Sequence, residues 1–145
     1  MRNVQALRTC CQKHRSRLSD VIACLADHAD VMQRPHIRFD GHGVAEVDER
    51  WAHAQNDALG YFLWLYTKLA IGGVLHPHRA DVEILHDFAR YFAKIDYWQD
   101  EDSGHWEENR KVCASSIGIA TAGLMSLRSW LAAQRELPAG WMVPL

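Results

Sequence analysis

Six carboxylates lie between residues 96 and 108, interleaved with Tyr97, Trp98 and Trp106, and they make up a third of the chain's 18 acidic residues. Such a segment is typical of a solvated acidic loop whose carboxylates favour the N-terminus of a following helix. It is equally typical of a site where a carboxylic acid beside indole rings loses solvent, so that its pKa rises and it can donate a proton. Hydrolysis of a glycosidic bond needs such an acid and a second carboxylate. The six carboxylates are Asp96, Asp100, Glu101, Asp102, Glu107 and Glu108.

A second polar group precedes a strongly apolar stretch, in the sequence Trp51-Ala-His-Ala-Gln55-Asn56-Asp57. Asp57 fits the N-cap of the helix that follows, and this role alone would explain it. A cap at the mouth of a pocket can also bind a sugar hydroxyl, with Gln55 and Asn56 as neutral donors and acceptors and Trp51 as a flat stacking face. Residue type and spacing leave both interpretations open.

The two polar groups together resemble a known family. WAHAQNDALGYFLWLY at residues 51–66, followed by DSGHWEENRKVCASSIGIATAGL at residues 102–124, is similar to the corresponding stretches of glycoside hydrolase family 15, the glucoamylase-like family. The barrel-like domain of the phosphorylase kinase α and β subunits is similar too. The resemblance spans about residues 35 to 131, and the paired motifs at this separation are far more specific than either motif alone.

The resemblance implies a fold and a chemistry. The fold would be all-α, an incomplete portion of an (α/α)6 toroid with about four to five helices and one long loop or short hairpin. The active site would lie in the loops at one end. The expected activity is glucoamylase-like hydrolysis of α-linked glucans with inversion. The first glutamate of the family's Trp-Glu-Glu motif is the general acid, and it corresponds to Glu107.

The same correspondence implies a set of substrate-binding residues. Trp106 and Glu108 complete the Trp-Glu-Glu motif and are expected to line the substrate site. Trp51 and Asp57 match the family's Trp-x5-Asp, which supplies a lid-like aromatic side chain and polar contacts near the cleaved bond. Gln55 falls where the family often has a glutamine. The expected ligand is an α-glucan or a maltooligosaccharide, and no cofactor is expected.

The sequence departs from the family pattern in two respects. The family's upstream Trp-x-Arg-Asp motif does not occur, and its general base, a glutamate on a late helix, would lie beyond residue 145. One acid without its base should give little turnover, so we expect the chain alone to be inactive as a hydrolase. We expect a middle piece of a longer enzyme, or an assembly in which another chain completes the helical ring.

Two other functions stay open on the sequence. The first alternative is a non-catalytic glucan-binding or regulatory module similar to the phosphorylase kinase subunits. The second is a helical interaction domain without a small ligand. A calmodulin-like partner would need a basic amphipathic helix, and residues 128–135 contain only two basic residues, so that signal is weak.

Hydrophobic periodicity predicts the elements that position these residues. Leu18, Val21, Ile22 and Leu25 predict an amphipathic helix within residues 13–30, and residues 36–47 are typical of a short hairpin or extended excursion. We divide the chain into an N-terminal helical segment and a partial toroid domain, over residues 1–34 and 35–145.

Three further helices are predicted, over residues 58–75, 79–95 and 111–131. The first is apolar nearly all round, but Lys68 and the helix-ending pair Gly72-Gly73 argue against a transmembrane helix. A helix of this kind would expose a second apolar face in an incomplete ring. Small residues in the last helix favour close helix packing.

The composition limits the remaining classes of partner. The chain is 48% hydrophobic and 23% charged, as in a soluble globular protein, and its formal net charge of -2 gives no field that attracts nucleic acid or an anionic membrane. Four cysteines without CxxC spacing are expected to be reduced thiols, and the first thirty residues lack the apolar core of a secretory signal. We therefore expect a cytoplasmic location. Nine histidines show no metal-binding motif, so no metal is expected.

Overall fold

The computed structural model describes residues 2–47, 49–104, 106 and 109–134, with only the backbone at residues 2 and 3. Within these residues the chain is all-α: it has five helices and no strand, apart from two isolated antiparallel bridges, Phe39 with Glu46 and Asp102 with Lys111. The helices are α1 (Arg2–Lys13), α2 (Arg15–Ile22), α3 (Asn56–Ile71), α4 (Arg79–Lys94) and α5 (Ala114–Ala133).

The three later helices confirm the periodicity, with ends shifted by at most four residues. Gly73, at a φ of 68°, follows the end of α3, as the Gly72-Gly73 pair predicted. The expected excursion over residues 36–47 is a turn closed by the single bridge between Phe39 and Glu46.

The helix predicted within residues 13–30 is present as α2 (Arg15–Ile22), but it ends eight residues before residue 30, and α1 was not predicted. Helices occupy residues 2–13 and 15–22, and turns follow. Cys24 has a φ of 59°, which a continuing α-helix does not allow. Leu25 is 79% exposed, so it does not extend the apolar stripe that Leu18 and Val21 begin.

α3 and α5 lie side by side and run in the same direction, because Gly60 contacts Ala120 while Leu63, one turn later, contacts Gly123. A Cβ atom at Gly60 would lie 2.8 Å from the backbone nitrogen of Ala120. The small residues therefore allow the close packing that the sequence predicted.

α4 returns antiparallel to α3 and packs on it through aromatic side chains. The rings of Phe62 and Phe88 are 5.4 Å apart, whereas Tyr66, one turn later in α3, lies by Asp81, nearly two turns earlier in α4. The N-terminal helices run along α4 in its own direction. Arg8 of α1 binds Asp81, Arg15 of α2 binds Asp87 at 2.5 Å and Glu83 at 3.0 Å, and these contacts follow the order of the chain.

One face of α3 carries large apolar side chains that the described chain leaves exposed. This confirms the expectation of a second apolar face on this helix. None of the helices in the described part is long and apolar enough to cross a membrane. The exposed side chains on α3 are Tyr61, Trp64, Leu65 and Ile71.

Candidate functional site

The acidic loop before α5 folds onto the chain segment that enters α3. The Asp102–Lys111 bridge closes the base of this loop through two backbone hydrogen bonds, with nitrogen-to-oxygen distances of 3.0 and 2.9 Å. The backbone N–H of Ser103 donates to the carbonyl oxygen of Ala54 at 2.7 Å. The two polar groups that the sequence separates therefore meet at the N-terminal end of α3.

Asp102 satisfies the first backbone donor of α3. Its Oδ2 accepts the N–H of Asn56 at 2.9 Å, and its side chain is completely buried. Gln55 occupies the N-cap position, and its side chain makes no capping hydrogen bond. The prediction that Asp57 is the N-cap is wrong, because the helix begins two residues earlier than predicted and its terminus is bound from across the fold. Asp57 lies buried in the first turn.

Arg34 links the acidic loop to the first residue of α3. Its guanidinium is fully buried and forms a two-point contact with Asp100, at 2.6 Å from Nη2 to Oδ2 and 3.2 Å from Nη1 to Oδ1. Nη2 also donates to Oδ1 of Asn56 at 2.9 Å, and the Asn56 amide donates to Asp100 at 2.7 Å. Two such hydrogen bonds to one carboxylate fix both its distance and its orientation. We call these three residues the Arg34 network.

Sequence reasoning missed Arg34 because nothing local distinguishes it. It stands between Gln33 and Pro35, between the predicted helix within residues 13–30 and the predicted excursion over residues 36–47. Its contacts with Asn56 and Asp100 span 22 and 66 residues. The acidic loop is likewise not a uniformly solvated surface, because Asp100 and Asp102 are buried while Glu101 is exposed.

Arg110 holds the loop from its outer side. Its Nε donates to the carbonyl oxygen of Glu101 at 2.9 Å, and its Nη1 donates to that of Ala29 at 2.7 Å. Its Nη2 lies 3.9 Å from Asp100. The loop is therefore fixed both to the α3 terminus and to the turns after α2.

The first turn of α5 lies beside Asp57. Burial, a hydrogen bond to Asp102 and the nearby charge of Asp57 raise the pKa of the Cys113 thiol, which immediately precedes α5. The thiol donates to the carbonyl oxygen of Asp102 over 3.8 Å. The N-terminal ends of the parallel helices α3 and α5 thus share one acidic environment.

Three buried polar atoms around this end have no hydrogen-bond partner in the described part of the chain. Leaving such atoms without a partner costs free energy, which water or a ligand hydroxyl can offset. The atoms are Nε2 of Gln55, Oδ1 of Asp102 and Oγ of Ser116.

The predicted aromatic residues lie at the edges of this region. Trp51 is half-buried, with the guanidinium carbon of Arg38 4.1 Å from its ring centroid. Trp106 is 80% exposed, so its indole face is accessible to a ligand. The predicted general acid Glu107 and its neighbour Glu108 lie outside the described residues. Of the predicted set, Gln55 and Asp57 are the two that the structure brings to the base of the acidic loop.

Comparisons of the chain with models of protein families, with curated proteins and with solved structures give no match. The resemblance to the glucoamylase-like family therefore rests on the residues of the two motifs.

Proposed function

We propose that this chain carries the general-acid half of a glucoamylase-like site, which hydrolyses α-linked glucans with inversion. Glu107 is the proposed general acid, and the proposed glucan contacts come from five aromatic and polar side chains. These are Trp51, Gln55, Asp57, Trp106 and Glu108.

The observation that carries this proposal is the meeting of the two motifs at one end of two parallel helices. Ser103 binds Ala54, and Asp102 binds Asn56, so the Trp-Glu-Glu segment starts from a loop fixed against the Gln55–Asp57 segment. Neither motif alone requires this contact. A carbohydrate site at a shared helix terminus requires it, because its polar groups must converge on one sugar ring.

The helix directions give independent support. A toroid of helical hairpins places parallel helices side by side in an inner layer, with antiparallel helices between them in an outer layer. α3 and α5 are parallel neighbours, α4 returns between them, and α2 runs beside α4 in the same direction. The exposed apolar face of α3 is the surface that further helices of the ring, on this or another chain, would cover.

Binding is the first test. Calorimetric titration of the chain with maltooligosaccharides should show saturable binding, and Asp57→Asn should weaken it by tenfold or more, because a charged hydrogen-bond partner contributes roughly 1.5–3 kcal/mol. A chain that binds no maltooligosaccharide at millimolar concentration contradicts the proposal. Glu101→Gln is the matched control, because Glu101 is an exposed acid of the same loop and should bind like the wild type.

Turnover is the second test, and it separates an enzyme from a glucan-binding module. In an inverting site that has its acid but not its base, azide can attack the anomeric carbon in place of activated water. The glycosidic bond breaks, Glu107 protonates the leaving oxygen, and β-glucosyl azide forms. We expect this product with the wild-type chain and with Glu101→Gln, and none with Glu107→Gln. Saturable binding without the azide product supports the non-catalytic module and removes Glu107 from the role of acid.

A further inference from the structure

A pair of stacked histidines joins the two ends of the chain segment over residues 36–53, which we call the 36–53 loop. The rings of His36 and His53 are parallel to within 7°, and their centroids lie 3.8 Å apart. The two residues are only 7% and 1% exposed. The loop between them leaves the core and returns, so the ring pair closes its base.

The hydrogen bonds define the role of one nitrogen in each ring. The backbone N–H of Ile37 donates to Nδ1 of His53 over 3.4 Å, so this nitrogen carries no proton. Nε2 of His36 lies 3.2 Å from the carbonyl oxygen of Met32 and must donate to it. Nδ1 of His36 and Nε2 of His53 have no hydrogen-bond partner among the residues described. The hydrogen bonds therefore place a proton on Nε2 of His36 and none on Nδ1 of His53.

Glu46 is the acidic neighbour of His36. A carboxylate oxygen of Glu46 lies 3.8 Å from Nδ1 of His36. Arg17 of α2 holds the same carboxylate at 2.7 Å, and His14, between α1 and α2, lies 3.4 Å from it. The charge of Glu46 is thus present at neutral pH, and burial opposes it less than these partners favour it, so its pKa is lowered.

Several neighbouring groups oppose a proton on His53. Burial and then the charge of His36 lower the pKa of His53 from 6.5 to about 4, Arg17 and Arg38 act in the same direction, and only Glu46 acts against them. Protonation of Nδ1 would also remove the acceptor of a backbone N–H. The stabilisation from neutral His53 is therefore complete above pH 6.5 and is lost as the pH falls from 6.5 towards about 4.

Protonation of His53 would also weaken its contacts with His36 and Ile37. A proton on His53 places a positive charge 3.8 Å from the ring of His36 and removes the acceptor of the Ile37 N–H, so it weakens the contact that joins the two ends of the 36–53 loop. The rest of the loop is held to the N-terminal helical segment by contacts that include Lys13 to the carbonyl oxygen of Gly43 at 2.9 Å and His14 to that of Val44 at 2.8 Å.

We propose that the His36–His53 pair is a pH-sensitive clasp, which holds the 36–53 loop against the N-terminal helices while His53 is neutral and releases it when His53 takes up a proton. The inference is independent of the proposed glucan site, although His53 lies two residues before Gln55 and Trp51 belongs to the loop. Release would move Trp51 away from the start of α3.

Hydrogen exchange at two pH values tests the clasp. Protection factors, which remove the intrinsic effect of pH, should fall by about 25-fold between pH 7.5 and pH 5 for the Ile37 amide and its neighbours in the loop, given pKa values of 6.5 and about 4. The amides of α3 and α4 should keep their protection. Loop protection that is unchanged down to pH 4.5 overturns the proposal.

Two variants identify the responsible ring. In His53→Asn the side-chain oxygen can replace Nδ1 as the acceptor without titrating, so loop protection should no longer depend on pH. His42→Asn is the matched control, because His42 is exposed at the tip of the same loop, and it should respond as the wild type does. An unchanged pH response in His53→Asn contradicts the proposal.

An NMR titration of the imidazole nitrogens in the wild-type chain gives a result that does not depend on how any variant folds. His53 should titrate well below pH 6.5, together with the loss of loop protection. Titration of His53 near pH 6.5 overturns the proposal.

Discussion

The α3–α5 interface and the Arg34 network hold the same end of α3, and they do so by opposite means. At the interface, Gly60 and Gly123 leave no room for another carbon atom, so the contact depends on volume. In the Arg34 network, Asn56 and Asp100 each meet two buried partners, so the contact depends on pairing. A packed interface can relax around a small change, whereas a buried charge that loses its partner has no other way to be satisfied.

The largest expected effect comes from removing one charge from the network. Arg34→Met leaves Asp100 buried without its main partner, which should lower the free energy of unfolding by roughly 3–5 kcal/mol. Urea denaturation measures this change. Arg38→Met is the control, since Arg38 pairs with the exposed Glu49 and stacks on Trp51, and it should cost about 1 kcal/mol or less. Equal losses in the two variants would show that the network is not a special feature of the fold.

A smaller effect is expected at the packed interface. A Cβ atom at Gly60 would lie 2.8 Å from a backbone nitrogen of α5, so Gly60→Ala should separate the helices and cost roughly 1–3 kcal/mol. Gly118→Ala is the matched control in α5, because nothing lies within 4 Å of its Cβ position. It should stabilise the chain by about 0.5–1 kcal/mol through helix propensity. A stabilising Gly60→Ala would contradict the close approach of α3 and α5.

The smallest effect is expected at Asp102, which binds the N-terminal end of α3 from the acidic loop. Asp102→Ala removes the acceptor for the first N–H of α3 and should cost roughly 0.5–2 kcal/mol, the range found for lost N-caps. Glu101→Ala, at the adjacent exposed position, should change the free energy of unfolding by less than about 0.5 kcal/mol. Hydrogen exchange should place the loss at the first turn of α3 rather than at its C-terminal end. Uniform loss along α3 would show that Asp102 does not act as a cap.

The same contrast explains what the sequence could predict. Periodicity depends on residues a few positions apart, so it located α3, α4 and α5 to within a few residues. The small residues of α5 predicted a close helix contact, although not its partner. The helix predicted within residues 13–30 was too long because Cys24 adopts a left-handed backbone conformation that its residue type does not signal.

The polar network could not be predicted in this way. Arg34 is an ordinary residue in a loop, and its partners lie far along the chain. Asp57 was assigned as a cap because a carboxylate at a helix start usually caps locally. The structure instead supplies the cap from Asp102, a residue whose sequence position identified it only as one acid of an acidic loop.

The central claim is that glucan binds where the acidic loop meets α3, and the indole N–H signals of the tryptophans test it most directly. Addition of a maltooligosaccharide to the isotope-labelled chain should shift the NMR signals of Trp51 and Trp106. Trp64, on the exposed apolar face of α3, is 36% exposed and serves as an internal control whose signal should not move. A shift confined to Trp64, or no shift at millimolar ligand, would contradict a glucan site at this end of the fold.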